Sequence, residues 1–571
     1  MSSEVSNNIV TSPVQHVEHV ETVPASEKDA SASTATSEKA LHEGEKALPI
    51  PGPTRDNFED ETVYPKALQM ILLTIGICLI MFMITLDMTI IATAIPRITT
   101  QFNSINDVGW YGSAYLLTMT SLQPSFGKIY TFFNIKIIFL SSIVIFEAGS
   151  ILCAAAPSSV VLIVGRAVAG IGSAGLMTGS MVVLGNTVPL RKRAMYIGAV
   201  TSMYGISSVL GPILGGVFTD QLTWRWCFWI NLPFGGLALP FVAIVFHNPK
   251  RTANKLSFAN KIKETDPLGA TFLIGGVICL LLALQWGGIS KPWSSPKVYG
   301  CLIGCGLMIS IFIFLQALHP NVATIPPRIF LKQRTVFISA WIEFFLSMAL
   351  TVHVYYLAFY FQAVKGTTAE GSGIRSIPYL ISITLAAMTS GLLVSLLGVY
   401  APFIWAGTAI FTIGCGMLYT LDVGSTLGEW FGYELIAGIG VGACFQVPII
   451  AVQVVLSTED MPTGNAICFF FNSLGGAIAI SIAQNIFSNT LTKQLPLRAP
   501  LVSPLLVMGA GATGLRAAIP TDLLPGVLGA YAIAIQKTFI LPIVTAGVAF
   551  LCGVGIERKT IKGKKLAVGG V

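Results

Sequence analysis

Charged residues are scarce in this sequence. Only 11% of its 571 residues are Asp, Glu, Lys or Arg, against roughly a quarter in an average soluble domain, and 53% are hydrophobic. That balance excludes a water-soluble globule. The ten cysteines form no Cys-x-x-Cys pair and no Cys/His cluster, so neither a disulfide framework nor a zinc site is indicated. No Gly-x-x-x-x-Gly-Lys-Ser/Thr phosphate loop occurs, which argues against an ATP-driven pump, and no soluble stretch is long enough to hold an enzyme site. There is no Asn-x-Ser/Thr acceptor and no basic-then-apolar signal peptide, so the first apolar span is expected to serve as the targeting signal.

What is present is a recurrence of apolar runs of about 20 residues, each long enough to cross a bilayer. Fourteen helices are expected, over 67–95, 108–126, 137–156, 159–184, 195–218, 226–246, 267–286, 298–318, 336–361, 374–397, 402–421, 432–456, 464–488 and 538–556. Residues 1–66, rich in Ser, Thr, Glu, Ala and Pro, carry 5 Lys/Arg against 12 Asp/Glu and are expected to form a disordered acidic tail. The other 29 Lys/Arg and 15 Asp/Glu are spread between the spans, which is a pattern of topology signals and not of a nucleic-acid surface. With the N-terminus inside, alternate connections hold 18 Lys/Arg on the cytoplasmic side and 10 on the other. Both termini are therefore expected in the cytoplasm, at the plasma membrane, with the vacuolar membrane as the alternative. Leu501 to Ile519 is apolar but interrupted by Pro504, glycines and Arg516, and is read as part of a long external loop, 489–537, lying on the protein.

Polar residues inside such spans need a reason. Asp87, in Leu86-Asp87-Met88-Thr89, costs about 2.5 to 3.5 kcal/mol on insertion unless it faces a cavity or a partner, which makes it a functional candidate. Its alternative is a helix-end residue reaching the outer interface. Glu147 falls near the middle of the third span, where a carboxylate is most desolvated and can exchange a proton reversibly; a neutral, hydrogen-bonded Glu147 fits equally. Arg166 opens the run Arg166 to Gly175 in the fourth span, where Gly165, Ala169 and Gly172 let a neighbouring helix approach. The arginine needs an acceptor, either for function or as a structural ion pair. In the fifth span Ser207, Gly211 and Gly215 fall four apart on one face, between Gly198 and Gly216. Pro212 there removes a backbone hydrogen bond, so a kinked helix with a groove for tight packing is expected.

These residues carry a resemblance. Leu86 to Ile98 resembles the first-span motif of the fourteen-spanner drug:proton antiporters of the major facilitator superfamily. Arg166 to Gly175 resembles that superfamily's fourth-span motif, whose arginine is associated with proton coupling. Gly198 to Gly216 resembles the antiporter motif, with Ser207 where glycine is usual, and Trp224 to Pro233 resembles the entry into the sixth span. The likeness covers about residues 67–560. The cytoplasmic gating loop departs from the pattern: Thr131 holds the usual acidic position and Asn134 a usual glycine, while Gly127, Lys128 and Lys136 keep its outline. This aromatic variant resembles fungal toxin-efflux members.

The resemblance implies an all-α integral membrane protein of two six-helix halves plus two inserted helices. The N-terminal half would be 67–246, the cytoplasmic loop and inserted pair 247–318, the C-terminal half 319–556, and a basic cytoplasmic tail 557–571. It further implies Arg166 as a proton-coupling residue, to which Asp87 and Glu147 are added by their placement in the spans, with no cofactor beyond a proton gradient, and export of hydrophobic small molecules, either a secondary metabolite or mycotoxin or a xenobiotic drug. In the second half Glu343, His353, Tyr356, Tyr360 and Gln362, with Phe470 and Asn472, suit a cavity for flat, partly polar organic molecules. His353 also fits a hydrogen-bonded interior histidine, and the Phe469 to Phe471 run could equally face lipid. Competing readings are uptake of a siderophore or other small molecule and a non-transporting receptor on the same fold. Gly211, Gly215 and Gly216 favour export, and the lack of a long intracellular signalling domain counts against a receptor.

Overall fold

A computed structural model describes residues 67–102, 107–248, 257–288, 291–320 and 322–560. The expected acidic tail, residues 249–256 of the loop after the sixth span and most of the expected basic tail lie outside the described residues. Among those described, thirteen helical segments are long and apolar enough to cross a membrane. The fourteenth is Val108–Phe132, the second helix in the chain, whose threonines, serines and Gln123 dilute its hydropathy because it packs between other helices.

The spans are apolar nearly all round, so their ends are set by caps. Asn134 accepts the Ile137 N–H at the start of the third helix (Ile135–Ala154), and Ser158 accepts that of Val161 at the start of the fourth (Ser159–Thr187). Thr426 and Glu429 form a capping box that opens the twelfth, Leu427–Cys444, which continues as Val447–Val455. The remaining spans are Ala67–Phe102, Leu190–Gln221, Trp226–Trp229 with Asn231–Val245, Pro267–Trp286, Pro296–Leu318, Arg334–Phe359, Ile377–Leu397, Ala401–Tyr419, Met461–Arg498 and Leu524–Thr538 with Ile540–Val554.

One expected feature differs. The stretch read as the external loop 489–537 is largely helical: the thirteenth helix runs on to Arg498, and the fourteenth begins at Leu524. Between them lies a 15-residue helix, Pro504–Ala518, only about 22 Å long and too short to cross a hydrocarbon core of about 30 Å. It buries Val507 and Leu515, exposes Leu506 and Met508, and is tied to the end of the ninth helix by Arg516 Nη2 donating to the Val364 carbonyl at 3.2 Å.

The packing repeats itself. The third helix lies on the fourth, the second on the fourth and the first on the fifth; the eleventh lies on the twelfth, the tenth on the twelfth and the ninth on the thirteenth. The seventh and eighth helices pack on each other, as an inserted pair should. The two halves meet through the second helix on the thirteenth and the fifth on the tenth. These contacts gather at the face that carries Lys128, Arg193 and Asp460, called here the basic face. Thr131 and Thr463 share a hydrogen bond of 3.3 Å, Arg193 Nη1 donates to Gln453 Oε1 at 3.4 Å, and the Met195 N–H donates to Ser395 Oγ at 3.2 Å.

Candidate functional site

Asp87 sits in the first helix with no exposed surface, and Arg166 in the fourth helix is equally enclosed. Arg166 Nη1 reaches Asp87 Oδ2 at 2.6 Å, while its Nε donates to the Tyr111 carbonyl at 2.9 Å. The guanidinium also lies over the Tyr115 ring, 4.4 Å from the centroid. Asn231 then donates through Nδ2 to Asp87 Oδ1 at 3.1 Å and to Ser150 Oγ at 3.1 Å. Four helices thus converge on one carboxylate. The pair is stable in a low-dielectric setting because both carboxylate oxygens accept a hydrogen bond and the guanidinium is held by Asp87, the Tyr111 carbonyl and the Tyr115 ring.

Glu147 projects from the third helix one turn before Ser150, over Gly235 of the sixth helix, where a side chain would collide with its carboxyl group. Neither of its oxygens has a hydrogen-bond partner among the described residues. It is within electrostatic reach of Asp87. An enclosed ion pair thus stands near an acid that makes no hydrogen bond among the described residues, and Asn231 ties the pair to Ser150, one turn from that acid.

The fifth-helix motif divides by face. Ser207 Oγ donates to the Phe82 carbonyl at 3.0 Å, and Thr89 Oγ1 donates back to the Ser207 carbonyl at 3.2 Å. Gly211 lies against Thr89 and Gly215 against Ile90 and Thr93, so a side chain at either would strike the first helix. Gly198 meets the Ala387 carbonyl of the tenth helix, whereas Gly216 faces open space. The helix continues through Pro212 without a break.

At the basic face Gly127 packs on the first turn of the thirteenth helix, at Pro462, Thr463 and Ala466. Lys128 is buried and donates to the Val322 carbonyl at 3.3 Å. Lys136 is half-buried. Thr131, where an acid would be usual, makes a neutral contact to Thr463 instead.

The second-half candidates do not form one cluster. Asn472 Nδ2 donates to Glu343 Oε2 at 2.8 Å, joining the thirteenth helix to the ninth. Tyr356 reaches Gln484 Oε1 at 3.3 Å, but Tyr360 spends its hydroxyl on the Asp422 carbonyl at 2.8 Å, in the π-helical turn Tyr360–Val364 that also contains Gln362. His353 is enclosed by the rings of Tyr379, Phe411 and Phe539. Phe470 packs with Leu273, Val277 and Phe312 of the inserted pair, away from Glu343. A cleft of about 630 Å³ lies elsewhere, between the first, fifth and sixth helices, lined by Ile71, Cys78, Phe82, Met195, Met203 and Phe234. Its walls are apolar and include none of the buried charges.

Sequence reading did not single out Asn231, Ser150, Tyr111, Tyr115 or Glu434. Asn231 carried a usable signal, as the one amide in the first turn of an apolar helix inside Trp224 to Pro233. The hydroxyl residues carried none, because serine and tyrosine are common in spans.

Residues 77–480 match the Major Facilitator Superfamily. A protein of Trichophyton rubrum named as an MFS-type efflux pump is 44% identical over 89% of this chain and 95% of its own length. The aspyridones efflux protein of Neocamarosporium betae is 42% identical over 88% and 89%. Among solved structures, the proton:xylose symporter XylE superposes with a TM-score of 0.55 at 12% identity, covering 87% of this chain and 97% of that one, a likeness of fold alone. With its repeated helical halves and the converging Asp87 and Arg166, the chain belongs to the Major Facilitator Superfamily of membrane transporters, among relatives that are fungal efflux pumps.

Proposed function

We propose that this protein exports hydrophobic small molecules, of the secondary-metabolite or toxin class, in exchange for protons. The observation that carries the reading is the Asp87–Arg166 pair with the unpaired Glu147 carboxyl group beside it. A proton arriving on Asp87 removes the charge that holds Arg166, so the first and fourth helices lose their strongest mutual restraint. Glu147, without a hydrogen bond among the described residues, is suited to receive or deliver that proton when the halves move and water reaches the site. The glycine contacts of the fifth helix with the first and tenth allow these helices to slide past each other as the halves rock. The enclosed basic face is consistent with one end state of such rocking, with that face cytoplasmic at the plasma membrane and both termini inside. The curated relatives named as efflux pumps support the outward direction.

The test is reconstitution of the full-length chain in sealed vesicles with an uncharged hydrophobic dye. Dye movement should follow an imposed pH gradient, reverse with it and collapse with a protonophore. Movement indifferent to the gradient and the protonophore would overturn the coupling.

A further inference from the structure

The two halves repeat residue for residue around the Arg166 site, and the repeat exposes a second site. In the first half Gly172 lies against Phe146, Gly149 against Ala169, and Gly170 against the Tyr115 carbonyl and Thr118. In the second half Gly440 lies against Phe411, Gly414 against Ala437, and Gly438 against the Tyr379 carbonyl and Ser382. One uniform shift carries Ala169, Gly170 and Gly172 onto Ala437, Gly438 and Gly440. The same shift carries Arg166 onto Glu434. The contacts of the second helix carry Tyr115 onto Tyr379 in the same way. Where the first half places a guanidinium over a tyrosine ring, the second half places a carboxyl group beside a tyrosine.

The difference lies in the partners. Arg166 has Asp87, but Glu434 makes no salt bridge and has no side-chain hydrogen-bond partner among the described residues, although the residue has no exposed surface; what its carboxyl group meets is the Tyr379 backbone N–H in the first turn of the tenth helix. The ionisable groups gathered here come from five helices and meet at Tyr379 of the tenth. Glu434 of the twelfth, Cys415 of the eleventh and Tyr204 of the fifth are all within electrostatic reach of its hydroxyl. His353, on the ninth, places Nδ1 3.4 Å from that hydroxyl and leaves Nε2 unpartnered among the described residues. Arg375 lies over the Trp430 ring, one turn away from Glu434, and Lys365 donates to the Val423 and Ser425 carbonyls, so neither cation pairs with it. A buried carboxylate with no cation opposite it is costly to keep charged, so the acid form is favoured in this conformation, and the proton can leave when the halves move and water enters.

We infer that Glu434, with Tyr379 beside it and His353 against the Tyr379 hydroxyl, is a second proton-binding site, so that each half carries its own protonation switch and two protons are exchanged per substrate. The proposal rests on the proton-coupled reading above and is separable from it by stoichiometry.

The experiment uses the full-length protein in vesicles, with the membrane potential clamped at zero and Nile red as the uncharged probe. Net flux of an uncharged molecule stops at about a 10-fold gradient per pH unit for one proton, and at about a 100-fold gradient for two. Wild type should balance near 100-fold, and Glu434→Gln near 10-fold with dye exchange intact. A wild-type balance near 10-fold would overturn the second site while leaving coupling in place; a balance independent of pH would remove the coupling itself. An unchanged balance in Glu434→Gln would also overturn the proposal. Infrared difference spectra between about pH 5 and about pH 9 give a readout that needs no transport. A protonated-carboxyl band that titrates in wild type should be missing from Glu434→Gln, and superimposable spectra would rule Glu434 out.

Discussion

Asp87 and Asn231 meet at 3.1 Å across the first and sixth helices, on the carboxylate oxygen that Arg166 leaves free. The amide completes the solvation of a buried charge, and removing either neighbour has a different consequence. Arg166→Ala strands an uncompensated carboxylate and should lower stability by about 3 to 5 kcal/mol, with loss of transport. Asn231→Ala leaves the ion pair and should cost about 1 to 3 kcal/mol. The double variant Asp87→Asn/Arg166→Gln should recover part of the loss, because no unpaired charge remains. Thermal unfolding in detergent checks the order; Asn231→Ala melting below Arg166→Ala would contradict it.

The fifth helix makes a sharper test because three glycines of one motif stand in different surroundings. Gly211→Leu and Gly215→Leu would drive a branched side chain into Thr89 and Ile90 and should abolish transport or make it leak. Gly216→Leu enters open space and should leave transport within about twofold of wild type, since surface changes are usually small in energy. Equal damage from all three would mean that the motif acts through backbone flexibility and not through helix contact.

What was legible in the sequence follows from how strongly each residue type violates its surroundings. Asp87 and Arg166 stood out because a charge in an apolar span has few explanations, and the structure joins them. Asn231 and Ser150 complete that site with neutral groups that any span tolerates. Glu434 was missed for a different reason: it follows Glu429, a true helix cap, and so resembles the solvated end of a span. Its burial is created by the tenth helix packing across it, which no local pattern reveals. The 504–518 helix was misread as loop because its glycines and proline weaken helix propensity, and packing on the ninth helix restores what propensity lacks.

Lys128 offers a test of closure at the basic face. Its buried ammonium donates to the Val322 carbonyl, and burying a charge costs what a methionine of similar length does not. Lys128→Met should therefore favour the closed arrangement. Spin labels at Lys136 and Glu459, one on each half, should show short distances gaining population in the variant. An unchanged distribution would exclude Lys128 as a gate.

Glu147 separates a proton carrier from a structural acid. Its carboxyl group lies over Gly235 without a hydrogen bond among the described residues, so an amide in its place loses nothing in packing and gains no clash. If Glu147 exchanges protons with Asp87, Glu147→Gln should keep substrate counterflow, which needs only the rocking of the halves, and lose acceleration by an imposed pH gradient. Restoring a shorter acid with Glu147→Asp should restore part of the gradient response, because Ser150 lies one turn away on the same helix. A structural Glu147 predicts the reverse pattern, with gradient-driven uptake intact in the Gln variant and no difference between Asp and Gln. Uptake and counterflow measured in one vesicle preparation decide between the two, since a variant that reaches the membrane misfolded loses both. Retained gradient response in Glu147→Gln would leave Asp87 as the proton-accepting group of the first half, with Arg166 as the residue that releases it.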